Sequence, residues 1–331
     1  MSKKIHIVFG PTASGKTEYS VELAQKFDSV IINGDSQQVY REIPIITNQA
    51  STEERKGVPH ELFGYKSILE HSDIAIWLGD AVPMIKKVID EGMIGDIVAA
   101  RCYWNNDGVW VNERQAGQTE MEYQMRNWYY FVWLCGDHIN EQHIHNIDVI
   151  NWFKGGYPTE AVGMGGRQVR TDKKYGEIYD HHYVEFKYAD GMILSSQCRH
   201  QPGTVSDVSE HLVGTKGRAT EGKIFDAKGN SIWRYKGEGD PDPYQVEHDV
   251  LFDCIVNNKP INDAERGAKS TMTAIMGRMA TYSGKKIKWE EALNSEINLM
   301  PDKYTWDTLP KTLPDKDGWY QIPMPGKTKA V

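Results

Sequence analysis

Imidazole and carboxylate side chains are concentrated in the segment 137–152, near the middle of the sequence. If this segment is helical, His138, Glu141, His145 and Asp148 occur at i, i+3, i+7 and i+10 and share one face. A carboxylate within reach of an imidazole can fix its tautomer and raise its pKa, which favours proton transfer. The spacing therefore predicts an acid/base pair formed by Glu141 and His145.

Two other interpretations of the same face remain open. Charged side chains at helical spacing also form ion pairs on the surface, with no role in chemistry. A metal site using His138, Glu141 and His145 is the second alternative, although the sequence does not clearly supply another ligand.

A second group of candidate residues lies near the N-terminus, where 10–17 reads Gly-Pro-Thr-Ala-Ser-Gly-Lys-Thr and matches the phosphate-binding pattern G-x-x-x-x-G-K-[ST]. An apolar run ends just before it, and the periodicity of 16–27 predicts a helix just after it. Backbone N–H groups of such a loop converge on a phosphate, the lysine adds charge, and the final hydroxyl can hold Mg²⁺. The candidate ligands of a nucleotide or diphosphate are Gly10, Thr12, Ser14, Gly15, Lys16 and Thr17, with Thr17 also the candidate for Mg²⁺. The alternative is a glycine-rich turn that binds nothing.

Asp35 follows a second predicted strand, Ser29 to Asn33. The carboxyl ends of strands are where open α/β sheets bind ligands, which makes Asp35 a candidate base. Asp35 and Ser36 could equally well cap the next turn.

The first quarter of the chain resembles the tRNA dimethylallyltransferases. The resemblance rests on the 10–17 loop, on Asp35-Ser-x-Gln-x-Tyr40, and on the segment from Glu53 to His60. It implies that the loop holds the diphosphate of a prenyl donor, that Asp35 acts as base on an adenine amine, and that Ser36 and Gln38 lie near that base. Counterparts of the family's later Gly-Gly-Thr-Gly-Leu-Tyr segment and of its tRNA-clasping insertion are missing, so tRNA is a partner only under this alternative.

Composition excludes several classes of protein. The 331 residues carry 38 Lys and Arg against 46 Asp and Glu, a net charge of −8, which disfavours a dedicated nucleic-acid binder. No apolar run approaches the ~20 residues that a membrane span needs, and the first residues do not form an apolar signal segment. The four cysteines are far apart in the sequence. We expect a cytoplasmic protein with no membrane partner.

The remaining sequence predicts a second domain. A glycine turn near Gly92 leads into a strand that begins near Ile97, and the alternation in 179–188 followed by 192–198 predicts a β-hairpin. His182, Val184, Phe186 and Tyr188 should share one face of that hairpin. Helical periodicity covers 244–257 and 264–284, and the residues after Met300 should form an irregular tail.

This longer part resembles the Gfo/Idh/MocA oxidoreductases from about residue 85 to the end. The resemblance rests on the segment from Glu141 to Asp148, which is similar to the family's D-x-G-x-H-x-x-D helix, and on the segments 163–168, 179–182 and 267–272. It implies hydride transfer between NAD(P) and a sugar or cyclitol, with His145 exchanging the hydroxyl proton, Glu141 orienting it, and Asp148 supporting the helix. The side chains that it places near the substrate are His138, Arg167, His181 and His182.

The dinucleotide-binding half of that family has no counterpart here. Its G-x-G-x-x-G loop and its Glu-Lys-Pro lysine are missing, and the P-loop segment takes their place. We therefore expect an α/β chain: a truncated P-loop or Rossmann-like unit at 1–90, an α+β domain with a large open, mostly antiparallel sheet at 91–300, and a tail at 301–331. A homo-oligomer is expected by analogy with other open-sheet domains.

Three functions follow, in order of preference. The first is a relative of the sugar-directed oxidoreductases, whose activity would be impaired because the P-loop segment replaces its cofactor-binding half. The second is a P-loop prenyltransferase, and the third is a sugar-binding protein without catalysis.

Overall fold

The computed structural model describes residues 6, 8, 16–27, 29–32, 49–61, 63, 92–220, 223–234 and 243–329. The chain divides into two compact units. The first comprises Met1–Gly95 and Gly222–Ile261, and the second comprises Asp96–Glu221 and Asn262–Val331. The second unit begins close to the predicted boundary at residue 91, but residues 222–261, expected in the longer domain, group with the N-terminal residues.

The first unit contains the predicted helix α1, Lys16–Phe27, whose apolar positions Val21 and Ala24 pack with Val58. Two short strands, β1 (Ile31–Ile32) and β2 (His60–Glu61), pair in parallel. Between them, helix α2 (Thr52–Arg55) begins with a capping box in which Ser51 and Glu54 satisfy each other's backbone N–H groups.

The other described elements of the first unit are a hairpin and a helix. Strands β9 (Lys223–Asp226) and β10 (Ser231–Arg234) are antiparallel. Helix α7, Pro243–Val256, matches the helix predicted for 244–257.

The second unit is built on seven strands: β3 (Ile97–Asn106), β4 (Glu160–Gly166), β5 (His181–Lys187), β6 (Ile193–His200), β7 (Asp207–Gly214), β8 (Gly217–Thr220) and β11 (Ile287–Lys288). They lie next to one another in an open sheet, in the order β8-β7-β3-β6-β5-β4-β11. Only β3 and β6 pair in parallel among these seven; the other neighbours are antiparallel. The predicted α/β fold class, with a large and mostly antiparallel sheet, is confirmed.

The helices of the second unit are α3 (Glu120–Arg126), α4 (Val132–Cys135), α5 (His138–Glu141), α6 (Ile144–Lys154), α8 (Ala264–Ser283) and α9 (Trp289–Leu293), with 3₁₀ turns at Trp128–Tyr130 and Lys173–Tyr175. Helix α8 packs on β4 and β5, and α6 packs on β3 and β7. Gly277 permits the approach of α8, because a Cβ there would lie 2.7 Å from the ring of Phe186. No helix in the described ranges has the length and apolar character of a membrane span.

The alternation of β5 decides which side chains enter the core. His182, Val184 and Phe186 are buried, whereas Glu185 and Lys187 on the other face are exposed. The predicted division of the hairpin into two faces is confirmed, and Gly191 forms its turn with φ +89°.

Residues after Met300 contain neither helix nor strand up to 329, yet they are packed against the second unit. Tyr320 is buried in an aromatic cluster with Phe131 and Tyr123. The backbone N–H of Gly326 donates to the carbonyl of Ser283 at the end of α8.

Candidate functional site

The segment that carries the candidate catalytic residues is not one helix. Helix α5 ends at Glu141 and α6 begins at Ile144. Between them the carbonyl of His138 accepts from the N–H of Gln142 and also from that of His143, each at 3.1 Å. The second of these bonds spans five residues, so the turn is wider than an α-helical turn. The single face predicted for residues 138 to 148 is therefore divided in two.

His143 explains the wide turn. Its side chain is fully buried, with Nε2 2.7 Å from the hydroxyl of Ser196 on β6 and Nδ1 3.3 Å from the amide oxygen of Asn146. Burial lowers the pKa of His143 to about 3. The neutral ring is a core residue, and its contacts with the sheet draw the chain inward between the two helices.

The exposed end of the segment carries His145. Its side chain is exposed, and its ring centroid lies 6.2 Å from that of Trp104 at the end of β3. No hydrogen bond joins His145 to Glu141 in the described part of the second unit. The orienting role of Glu141 thus stays a prediction; its Oε2 atom is buried without a hydrogen-bond partner there.

Asp148 fixes helix α6 to helix α8. Its carboxylate accepts from the hydroxyl of Ser270 and from Arg266, the latter at 2.8 Å. Because both partners lie on α8, Asp148 positions the helix that presents His145.

The buried end of the segment is organised around Asp137, which is fully buried. Its Oδ1 accepts from the backbone N–H of His138 at 2.6 Å and lies 2.8 Å from Nδ1 of the same residue. Its Oδ2 accepts from the N–H of Tyr179 at 2.9 Å and from the hydroxyl of Tyr282. Nε2 of His182 lies 3.2 Å from the same Oδ2. We call Asp137, His138 and His182 the buried trio.

The backbone at Asp137 is strained, with φ +71°. A non-glycine residue in this region costs of the order of 1–3 kcal/mol and persists only where its surroundings demand it. Here the conformation turns the carboxylate back onto the first N–H of α5, where it caps the helix.

Asp137 and His138 differ in charge state within the buried trio. Burial on its own would raise the pKa of Asp137, but attraction to His182 and His138 and the hydrogen bond with His138 hold it well below its ordinary value. Burial lowers the pKa of His138 to about 4, against the opposing pull of Asp137. An ionised carboxylate therefore lies beside a neutral imidazole of His138 at neutral pH.

A second buried polar group lies next to the buried trio. The guanidinium of Arg170 donates to Nδ1 of His200 at 2.8 Å, and the His200 ring stacks on Tyr129 with centroids 5.6 Å apart. Asp180 accepts three backbone N–H groups, from residues 168 to 170, through one oxygen. Burial opposes ionisation of Asp180, but these bonds and one from His181 lower its pKa.

The structure separates the side chains that were predicted to contact substrate. His138 and His182 have fully buried side chains, with ring centroids 4.8 Å apart, inside the core and away from His145. Arg167 donates to the carbonyls of three residues of its own loop, Arg170, Asp172 and Gly176, which makes it a loop-fixing residue. His181 is half-exposed and bonded to Asp180. The alternative metal site of His138, Glu141 and His145 is not assembled, because His138 is buried and His145 is exposed.

In the first unit, Lys16 and Thr17 form the start of α1, where the phosphate-binding pattern requires them. The other predicted phosphate ligands and the candidate adenine-side residues lie outside the described residues. They are Gly10, Thr12, Ser14, Gly15, Asp35, Ser36 and Gln38.

Sequence reasoning missed several members of the buried polar groups: Asp137, Arg170, Asp180, His200 and Tyr282. One signal was available for His200, because the alternation of β6 places it on the same buried face as Leu194 and Cys198. The others are brought together by tertiary contacts and have no local signature.

Two family models match different parts of the chain. Residues 82–220 match the GFO/IDH/MocA C-terminal domain, and residues 38–99 match IPP transferase. The two matches overlap at 82–99, which includes the junction between the two units.

Curated relatives match only a short part of the chain. The tRNA dimethylallyltransferase of Orientia tsutsugamushi (strain Boryong) is 59% identical over 70 residues, which is 21% of this chain and 20% of that protein. That of Ehrlichia chaffeensis is 41% identical over 87 residues, 26% of this chain and 28% of that protein. The chain thus spans under a third of the length of these relatives.

Solved structures give weaker likenesses that extend over most of the chain. The scyllo-inositol dehydrogenase of Lactobacillus casei with bound NAD(H) and scyllo-inositol has a TM-score of 0.44 at 18% identity, over 86% of this chain and 81% of that one. The aldose-aldose oxidoreductase of Caulobacter crescentus has a TM-score of 0.48 at 14% identity, over 86% and 79%. The family-model matches, and not these scores, carry the assignment: the chain joins an N-terminal part similar to IPP transferases to a longer part similar to the C-terminal domain of the GFO/IDH/MocA proteins.

Proposed function

We propose that the second unit binds a sugar or cyclitol and that His145 bonds the ligand hydroxyl whose proton it would exchange in a Gfo/Idh/MocA-type oxidoreductase. The observation that carries the proposal is the position of His145 within the 82–220 family match, exposed on a helix that Asp148 fixes to α8. An exposed imidazole on a rigid helix can reach a bound hydroxyl, whereas His138 and His143 are enclosed by the core.

Trp104 supports a polyhydroxylated ligand. Its ring lies beside the His145 ring at the end of β3. An aromatic face packs against the apolar face of a sugar ring while a neighbouring polar group bonds its hydroxyl edge.

NAD(P) is the hydride acceptor that the resemblance implies, but the described residues of the first unit do not fit it. Dinucleotide binding needs a pyrophosphate laid across a helix N-terminus that follows G-x-G-x-x-G. Helix α1 begins instead with Lys16 and Thr17 of the G-x-x-x-x-G-K-[ST] pattern, which suits a phosphate gripped end-on. We therefore expect the chain to bind its polyol with little or no turnover.

The test is calorimetry of the full chain with myo-inositol, scyllo-inositol and glucose, combined with turnover assays containing NAD⁺ or NADP⁺. Polyol binding without turnover is the expected result. Rapid nicotinamide reduction would show that the first unit does bind the cofactor, and no binding of any polyol would overturn the proposal.

A second function is favoured by the P-loop pattern and by the identity to tRNA dimethylallyltransferases. We propose that Lys16 and Thr17 bind a diphosphate, with Mg²⁺ at Thr17. Dimethylallyl diphosphate and ATP should each raise the melting temperature of the chain, and Lys16→Ala should abolish the shift. Equal shifts in both proteins would eliminate this site.

A further inference from the structure

The buried trio has the composition of a transition-metal site. One ligand atom from each of Asp137, His138 and His182 lies within 4.8 Å of the others. Two imidazole nitrogens and a carboxylate oxygen are donors that Zn²⁺ accepts in proteins.

Hydrogen bonding fixes the tautomer of His182. Its Nδ1 lies 2.9 Å from the hydroxyl of Thr281, and that hydroxyl donates its own proton to the carbonyl of Arg278 at 3.0 Å. The hydroxyl can therefore only accept from His182, so Nδ1 carries the ring proton. Nε2 of the same ring lies 3.2 Å from Oδ2 of Asp137 and has no hydrogen-bond partner among the described residues.

His138 is constrained in a similar way. Its Nδ1 lies 2.8 Å from the carboxylate of Asp137, which can only accept, so Nδ1 again carries the proton. Its Nε2 is a buried lone pair with no hydrogen-bond partner in the described part of the chain. An unpartnered polar atom in a core costs roughly 1–3 kcal/mol, and the buried Nε2 atoms of His138 and His182 are both without a hydrogen-bond partner among the described residues.

We propose that Asp137, His138 and His182 bind one divalent transition-metal ion of the zinc type. A cation supplies what this geometry lacks, because each of the three residues presents a ligand atom within 4.8 Å of the others, while the Nε2 atoms of both histidines are buried without a hydrogen-bond partner among the described residues. Thr281 is the outer partner that orients a metal-bound histidine. The ion links α5 to β5 inside the second unit, independently of any polyol at His145.

The test uses the full chain without an affinity tag, stripped with a chelator and titrated with Co²⁺ and then Zn²⁺. We expect about one equivalent of Co²⁺ per chain with visible ligand-field absorption, displacement by Zn²⁺, and a higher melting temperature for the Zn²⁺ form. A folded wild-type chain that binds neither ion would overturn the proposal.

His182→Gln and Asp137→Asn should each weaken binding by roughly 100-fold or more, since each removes a ligand. His143→Gln is the matched control: it replaces another fully buried histidine, bonded to Ser196 outside the buried trio, and should retain the cobalt spectrum. Circular dichroism checks that each variant is folded. Unchanged Co²⁺ affinity in a folded His182→Gln protein would contradict the assignment, and if that variant does not fold, the wild-type titration decides.

Discussion

The two ends of the segment from Asp137 to Asp148 have opposite environments, although their residues follow a single helical spacing. At one end Asp137 and His138 are fully buried in a hydrogen-bonded cluster; at the other His145 is exposed beside Trp104. The wide turn at His143 separates them. The difference shows that side chains with helical spacing need not share an environment. The turn at His143, which contacts β6, leaves His138 buried and His145 exposed.

The largest expected effect comes from removing the carboxylate at the buried end. Asp137→Ala leaves Tyr282, His138 and the Tyr179 N–H without their acceptor, so we expect a loss of roughly 3–5 kcal/mol in the free energy of unfolding. Urea denaturation measures this loss.

Asp148→Ala is the control for that comparison. Its partner Arg266 is half-exposed, but the hydroxyl of the buried Ser270 also loses its acceptor, so the substitution should cost about 1–2 kcal/mol. Equal losses in the two variants would remove the energetic distinction between the ends of the segment.

The turn itself should make stability sensitive to acid. The pKa of His143 is lowered to about 3 from an ordinary 6.5, so the unfolded chain binds a proton that the folded chain does not. Its contribution to stability is complete above about pH 6.5 and is lost as the pH falls towards 3, by up to roughly 5 kcal/mol. His143→Gln should therefore lose less stability than wild type between pH 7 and pH 4.5 in urea denaturation. Parallel pH profiles would contradict the assignment of His143 as a neutral core residue.

A smaller effect distinguishes the two glycines that bound the segment. Gly136 and Gly155 both have positive φ, but a Cβ at Gly136 would lie 2.8 Å from the Asn140 side chain, while one at Gly155 meets nothing within 4 Å. We expect Gly136→Ala to cost about 1 kcal/mol more than Gly155→Ala, whose cost of about 1 kcal/mol is backbone strain alone. Thermal melts of both variants check the order, and a reversed order would show that the buried end tolerates displacement.

Helical periodicity and strand alternation in the sequence predicted the elements whose burial follows a regular repeat. Helix α1 and helix α8 lie where periodicity predicted them, and the alternation of β5 identified its buried face. The break at His143 could not be predicted in the same way, because it depends on Ser196, distant in sequence.

The candidate site was predicted in composition but not in arrangement. Spacing singled out His138, Glu141, His145 and Asp148, yet it could not show which of them the sheet would enclose. Asp137 was missed because its role depends on a positive φ and on Tyr282, and neither has a local signal.

We propose that the exposed imidazole of His145 binds the ligand, whereas the buried imidazoles of His138, His143 and His182 stabilise the fold. Calorimetric titration of the full chain with myo-inositol, for wild type and His145→Ala, tests it most directly. We predict that His145→Ala loses most of the binding while its unfolding free energy stays within about 0.5 kcal/mol of wild type, as expected for an exposed side chain. Wild-type affinity in His145→Ala would contradict the claim.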